Sequence, residues 1–200
     1  DYYIKGRDLY YRYQKQANEN GIDLFQKAIE LDPDFALDYA GLGDAFAQRA
    51  GRFGFSSAWL DSAVSVSKKA IVIDPNLAEG YKASGVAYLF KGWSQKALEM
   101  NNKTVELNPN HHPAIANKGY SLLLIGRIDE ALPMMKKSFI LDPTNAESSR
   151  AVGIAYQYLD NFAKAEDWFK RALELQPDNN FASSSLIQLY LMNGKMETAG

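Results

Sequence analysis

Residues 145–177 decide the fold: they read NAESSRAVGIAYQYLDNFAKAEDWFKRALELQP, and their landmarks recur along the chain. The stretch closes with an aliphatic residue, a polar residue and a proline, here Leu175, Gln176 and Pro177. Marks of the same kind close earlier stretches at Pro33, Pro75, Pro109 and Pro143. Successive prolines are therefore 42, 34, 34 and 34 residues apart, which indicates an internal repeat.

Two further series share this period. A turn residue followed five positions later by alanine recurs every 34 residues, in the pairs Gly92/Ala97, Gly126/Ala131, Asp160/Ala165 and Gly194/Ala199. A glycine inside the preceding segment recurs with the same step at Gly85, Gly119 and Gly153. Three series with one period indicate stacked supersecondary units, each of which buries its apolar face against its neighbours.

The apolar residues between these marks follow the spacing of an α-helix, as Phe162, Ala165, Phe169 and Ala172 do. Each repeat holds two such segments. The second ends before its proline, because the proline ring excludes the preceding residue from the helical region. The pattern predicts eleven helices, near 2–16, 21–31, 35–49, 56–73, 77–90, 94–107, 111–124, 128–141, 145–158, 162–175 and 179–192.

The landmarks resemble those of the tetratricopeptide repeat, with its leucine-glycine, aromatic, alanine and proline positions. The fifth repeat carries Val152, Gly153, Tyr156, Ala165, Phe169, Ala172 and Pro177. The second carries Tyr39, Leu42, Gly43, Phe46, Ala70 and Pro75. Single landmarks fail, since Asn101 and Ser138 stand where phenylalanine and alanine are usual.

The resemblance implies an all-α fold: a right-handed α-solenoid, or superhelix, of stacked antiparallel helix hairpins. We expect five full repeats plus the first helix of a sixth, forming one domain over residues 1–200. The expected repeats span about 1–35, 36–77, 78–111, 112–145, 146–179 and, in part, 180–200. The sixth would be cut where its second helix begins, so we expect a fragment of a longer protein.

Two repeats depart from the common length. The first is about three residues longer, and we predict a polar loop at Gln14–Gly21 between its helices. The second is eight residues longer, with an insertion at 50–59 that is rich in glycine and aromatic residues. Phe53, Phe55 and Trp59 either form a docking loop or fold back on the following helix, and we expect the second arrangement. Pro133 predicts a kink or a late helix start.

The opening of the chain adds a more specific resemblance. The stretches 3–7 and 35–46 are similar to repeat regions attached to bacterial adenylate cyclases, winged-helix regulators and protein kinases. This resemblance implies a regulatory segment of a bacterial signalling protein.

Composition limits the partners. The formal net charge is −2 and the 22 basic residues form no stripe, so we expect no nucleic acid partner. The longest apolar runs, such as 121–125, are far below the roughly 20 residues that cross a bilayer, so we expect no membrane insertion. We find no leader segment after Asp1; cytoplasm is favoured over periplasm, and the compartment stays open.

Catalytic and metal chemistry find little support in the sequence. Cysteine is absent, and most carboxylates that could pair lie in the turns between repeats, where aspartate favours turn geometry. His111 and His112 are adjacent, point about 100° apart on a helix and have no third ligand at metal spacing. We expect a solvated or helix-capping role for them, no enzyme activity, no metal and no cofactor.

The resemblance also implies a concave groove lined by the first helix of each repeat. The predicted groove residues are Arg7, Tyr10, Tyr11, Gln48, Lys82, Val86, Phe90, Asn117, Tyr120, Leu124, Arg150, Ile154, Tyr158 and Gln188, with Tyr3, Asp44 and Met192 beside them. Lys82, Asn117 and Arg150 are predicted to hold a peptide carboxylate or backbone. The lysine, asparagine and arginine clamp of the chaperone-binding members is not reproduced, and we expect about half of the apolar members to serve packing instead.

The leading hypothesis is a non-catalytic scaffold that binds a protein partner's peptide or helix in this groove. A second hypothesis is self-association into a homo-oligomer through the unfinished C-terminal end. A third is a sensor of a small ligand in the curved groove.

Overall fold

The computed structural model describes residues 2–194, and their regular secondary structure is entirely helical. The helices are α1 (Tyr2–Tyr10), α2 (Lys15–Leu31), α3 (Ala36–Phe53), α4 (Ala58–Ile73), α5 (Ala78–Phe90), α6 (Ser94–Leu107), α7 (His112–Leu124), α8 (Ile128–Leu141), α9 (Ala146–Tyr158), α10 (Phe162–Leu175) and α11 (Asn180–Met192). The predicted all-α class is confirmed over this range. No described helix is both long and apolar enough to cross a membrane.

The chain divides into two compact units, which we call the N-terminal unit (Asp1–Pro109) and the C-terminal unit (Asn110–Gly200). In the N-terminal unit, α1 packs on α2, α3 on α4, and α5 on α6, and the first helices α1, α3 and α5 contact one another in order. In the C-terminal unit, α7 packs on α8 and α9 on α10; α11 contacts both α9 and α10. The predicted single solenoid stays a prediction.

The repeated glycines mark the closest approach within each hairpin. A β-carbon on Gly153 would lie 2.5 Å from Cε1 of Phe169, and one on Gly119 would lie 2.7 Å from Cγ of Met135. In both pairs the facing residue comes sixteen positions later, and Ala165 and Ala131 beside the contact are fully buried. The close approach predicted from the glycine series is therefore confirmed.

The turn series has an equally direct cause. The backbone φ angle is +74° at Gly92, +81° at Gly126, +54° at Asp160 and +70° at Gly194. Each residue ends the first helix of its repeat in the left-handed region, which glycine enters without steric cost and aspartate at a modest one. Ala199, the last alanine of the series, lies outside the described residues, as does the predicted second helix of the sixth repeat.

The predicted polar loop at Gln14–Gly21 is wrong. Helix α1 ends already at Tyr10, Tyr13 takes a φ of +52°, and α2 begins at Lys15. Residues 15–21 are helical because their polarity belongs to two faces: Gln16 and Asn20 bond each other on the exposed face, while Asn18 is fully buried. The extra residues of the first repeat form the turn at 11–14 instead.

The insertion in the second repeat lengthens α3 to Phe53, and Gly54 closes that helix with a φ of +72°. Trp59 folds back, as expected, because its ring lies 4.8 Å from that of Phe46. Pro133 lies inside α8, which nevertheless starts at Ile128, so a late helix start at the proline is wrong. The start is fixed upstream, where the amides of Glu130 and Ala131 donate to the carbonyl of Arg127.

Candidate functional site

The N-terminal unit buries two of the polar residues that were predicted to face the groove. Lys82 of α5 pairs with Asp44 of α3, and the side chains are 6% and 7% exposed. Burial by itself would lower the pKa of Lys82, but the adjacent Asp44 carboxylate more than offsets this and raises it. The lysine therefore stays charged at neutral pH, and its charge is neutralised inside the fold.

Gln48, also predicted to face the groove, belongs to a second buried cluster. The side-chain amide of Asn18 donates to Oε1 of Gln48 over 2.8 Å and to the carbonyl of Ala45 over 3.0 Å. Gln48 in turn donates to the carbonyl of Tyr10 over 3.3 Å. These bonds tie α1, α2 and α3 together, so Gln48 holds the interior of the N-terminal unit.

The other predicted groove residues of the N-terminal unit lie nearer the surface. Arg7 is exposed, with its guanidinium 5.9 Å above the ring of Tyr3, and Tyr11 is 45% exposed. Tyr10 is half-buried, with Nζ of Lys82 5.6 Å from its ring centroid. Val86 packs against the hydrophobic core, and Phe90 is 36% exposed at the end of α5.

In the C-terminal unit the first helices are α7, α9 and α11, and neighbouring members of this set contact one another. Leu124, Tyr158 and Met192 occupy the last turns of these three helices. They are 54%, 50% and 57% exposed, respectively. We call these three residues the apolar row. Asn117, Tyr120 and Ile154 are half-buried on the same helices, and Gln188 is exposed.

Arg150 has a partner within its own helix. Its Nη2 lies 2.9 Å from Oε2 of Glu147, and the two side chains are 13% and 15% exposed. Asn179 donates to the other oxygen of Glu147 over 3.4 Å. Sequence reasoning missed Glu147, although the three-residue spacing to Arg150 is typical of helical ion pairs.

Comparison with known proteins identifies the repeat. Residues 151–179 match the family model described as the tetratricopeptide repeat. A solved tetratricopeptide repeat protein from Thermus thermophilus has the same fold: the TM-score is 0.77 at 19% identity, over 93% of this chain and 95% of that one.

This is a tetratricopeptide repeat protein. Two other solved structures resemble it. YrrB, described as a tetratricopeptide repeat protein with an unusual peptide-binding site, is 25% identical, with a TM-score of 0.55 over 90% of this chain and 84% of YrrB. MamA from Desulfovibrio magneticus RS-1 is 26% identical, with a TM-score of 0.57 over 81% and 89% of the two chains. No curated protein matches by sequence.

Tetratricopeptide repeat proteins are in general non-catalytic scaffolds that bind protein or peptide partners, and this chain is such a scaffold. His111 has the expected capping role, because its Nδ1 accepts from the amide of Ala114 at the start of α7. His112 lies 3.5 Å from Asp142, and burial lowers its pKa. Within the described part of this tetratricopeptide repeat protein, no three His, Cys, Asp or Glu residues cluster as metal ligands would.

Proposed function

We propose that the face formed by α7, α9 and α11 of the C-terminal unit binds a peptide segment of a partner protein. The observation that carries this proposal is the apolar row, three large side chains at equivalent positions of three adjacent helices, each at least half exposed. Exposed apolar groups that follow one another in this way are typical of interaction surfaces. Covering their exposed portions would contribute about 1 kcal/mol each.

The spacing of the helices favours certain peptides. Packed helices lie about 8–10 Å apart, so successive members of the row are separated by about that distance. A polyproline II segment advances about 9 Å in three residues and returns to the same face. Two turns of an α-helix advance about 11 Å. The row therefore suits a peptide with apolar residues at every third position, or a helix with apolar residues at every seventh.

Charge has a smaller part in this proposal than the sequence predicted. Lys82 and Arg150 are paired with Asp44 and Glu147, so neither cation is waiting for a peptide carboxylate. Apolar contact is thus the main source of affinity. The similarity to YrrB, whose description names a peptide-binding site, supports peptide binding here. A role in a bacterial signalling protein, self-association and small-ligand sensing stay predictions.

The test selects peptides from a random displayed library on the purified chain and measures their affinity by fluorescence anisotropy. The row variant is Leu124→Ser with Tyr158→Ser. The control is Val72→Ser with Ile140→Ser, because those residues of α4 and α8 are 75% and 72% exposed. We expect the row variant to lose at least tenfold in affinity and the control less than twofold. Equal losses in both variants, with unchanged circular dichroism, would refute the assignment.

A further inference from the structure

The two departures from the 34-residue repeat meet in space. The turn at 11–14 is the extra length of the first repeat, and residues 50–57 carry most of the extra length of the second. Nζ of Lys15 lies 4.6 Å from the ring centroid of Phe55, and the guanidinium of Arg52 lies 5.0 Å from that of Tyr13. Two irregularities about 40 residues apart in sequence therefore build one surface of the N-terminal unit.

This surface is strongly basic. We define the insertion patch as residues 10–15 and 49–57, which contain Arg12, Lys15, Arg49 and Arg52 and no aspartate or glutamate. The whole chain, by contrast, has 22 basic and 24 acidic residues. The patch thus concentrates positive charge on a protein whose net charge is negative, and such local fields attract partners of the opposite sign.

Two of its cations are open to a ligand. Arg12 and Lys15 are exposed, and neither forms an ion pair with another residue of 2–194. Arg49 differs, because its Nη2 lies 3.6 Å from Oε1 of Glu19. Arg12 and Lys15 are therefore the groups that an incoming anion can pair with directly.

Aromatic rings hold the charged groups in place. The ring of Phe55 has Lys15 at 4.6 Å and the Arg49 guanidinium at 4.4 Å, and Arg49 also lies 4.5 Å from the ring of Trp59. Cation–π contacts of this kind restrict long side chains before a ligand arrives, which lowers the entropic cost of binding. Helix α2 begins at Lys15 without a side-chain cap from Gln14, so its first-turn amides add to the positive potential.

We propose that the insertion patch binds an acidic peptide segment whose carboxylates pair with Arg12 and Lys15. An acidic peptide fits better than a nucleic acid for two reasons. The rings of Phe55 and Tyr13 are engaged by the protein's own cations, whereas single strands need open rings for their bases. The charge also sits in one patch and not along a track that follows successive phosphates. This site is separate from the apolar row and does not depend on it.

The experiment uses fluorescein-labelled decaglutamate and an oligothymidylate of matched charge as probes, with fluorescence anisotropy as the readout. The patch variant is Arg12→Gln with Lys15→Gln. The control is Lys68→Gln with Lys137→Gln, which removes the same charge from two exposed lysines elsewhere. Thermal melts followed by circular dichroism establish that all variants are folded. A Tyr158→Ser variant, altered only in the apolar row, separates this proposal from the previous one.

We expect the wild type, the control and Tyr158→Ser to bind decaglutamate alike, within about twofold, and the folded patch variant to bind at least tenfold more weakly. Binding should also weaken as salt is raised, because exposed charge pairs are screened. The proposal is overturned if decaglutamate does not bind, if the control loses as much affinity as the patch variant, or if the oligothymidylate binds more tightly than the peptide and loses affinity with the same two substitutions.

Discussion

Lys82 and Asp44 form an ion pair in the interior of the N-terminal unit, between two neighbouring first helices. Sequence position alone predicted that Lys82 would face a ligand. The structure instead has each partner satisfying the other's charge where water is excluded. Removing one partner of a buried pair leaves an uncompensated charge, whereas replacing both with apolar groups of similar size is often neutral.

The first prediction follows from that pair. Lys82→Ala should lower the free energy of unfolding by about 3–5 kcal/mol, because Asp44 stays buried without its counter-charge. The double variant Lys82→Met with Asp44→Leu should recover most of that loss. Urea denaturation at pH 7 measures both. A double variant as unstable as Lys82→Ala would show that the loss comes from packing and not from charge.

The Lys82 pair also shows where prediction from sequence ended. The helices α6, α8 and α10 begin and end where predicted, because a turn residue and a proline fix both ends locally. The burial of Lys82 and Gln48, by contrast, depends on Asp44, Asn18 and the carbonyl of Tyr10, which lie about 30–40 residues away in sequence. A repeat pattern assigns a residue to a helix face, but it does not say which neighbour covers that face.

The same limit explains the error at α2. The stretch 14–21 is polar and was predicted to be a loop, but Asn18 is polar because it bonds a distant buried amide. In the C-terminal unit the repeat is more regular, and the 34-residue spacing correctly placed Leu124 and Tyr158 on exposed positions of their helices. Prediction was therefore most accurate where the repeat had no insertion.

The second prediction concerns Asp38 in the first turn of α3. Burial, aided by the nearby charge of Asp32, raises the pKa of Asp38 to about 6. Its Oδ1 is buried and has no hydrogen-bond partner among the described residues. Since the folded state favours the protonated form, this contribution to stability is complete below pH 3.8 and is lost as the pH rises through about 6.

Asp38→Asn should therefore stabilise the protein at pH 8, and the gain should shrink towards pH 4. A favourable interaction of the charged form with the helix N-terminus opposes the gain, but it amounts to only about 0.3–1 kcal/mol. Unfolding free energies of both proteins between pH 4 and 8 provide the measurement. Asp34→Asn, at an exposed position, serves as the control. A stability difference that does not change with pH would contradict the raised pKa.

The third prediction uses the turn series. Asp160 occupies a left-handed conformation that its repeat equivalents fill with glycine. Asp160→Gly should stabilise by about 0.5–1 kcal/mol, while Gly126→Ala at a φ of +81° should destabilise by about 1–2 kcal/mol. Shifts of the urea midpoint at constant slope report the two changes. If both substitutions shift the midpoint in the same direction, backbone strain is not the determining factor.

The last prediction compares two glycines of the hairpin contacts. A β-carbon on Gly153 would lie 2.5 Å and 2.6 Å from two atoms of the fully buried Phe169 ring, which cannot bend away. A β-carbon on Gly119 would meet Cγ of Met135 at 2.7 Å, and a methionine can change rotamer.

Alanine gains up to about 1 kcal/mol of helix propensity at either site, so the two substitutions should differ in sign or size. Gly153→Ala should cost about 1–3 kcal/mol net, and Gly119→Ala should be close to neutral. A double-mutant cycle with Phe169→Leu identifies the cause: the alanine should cost less beside leucine than beside phenylalanine. An alanine that costs the same beside either residue would place the clash elsewhere, at the Ala165 carbonyl 3.2 Å from the added carbon.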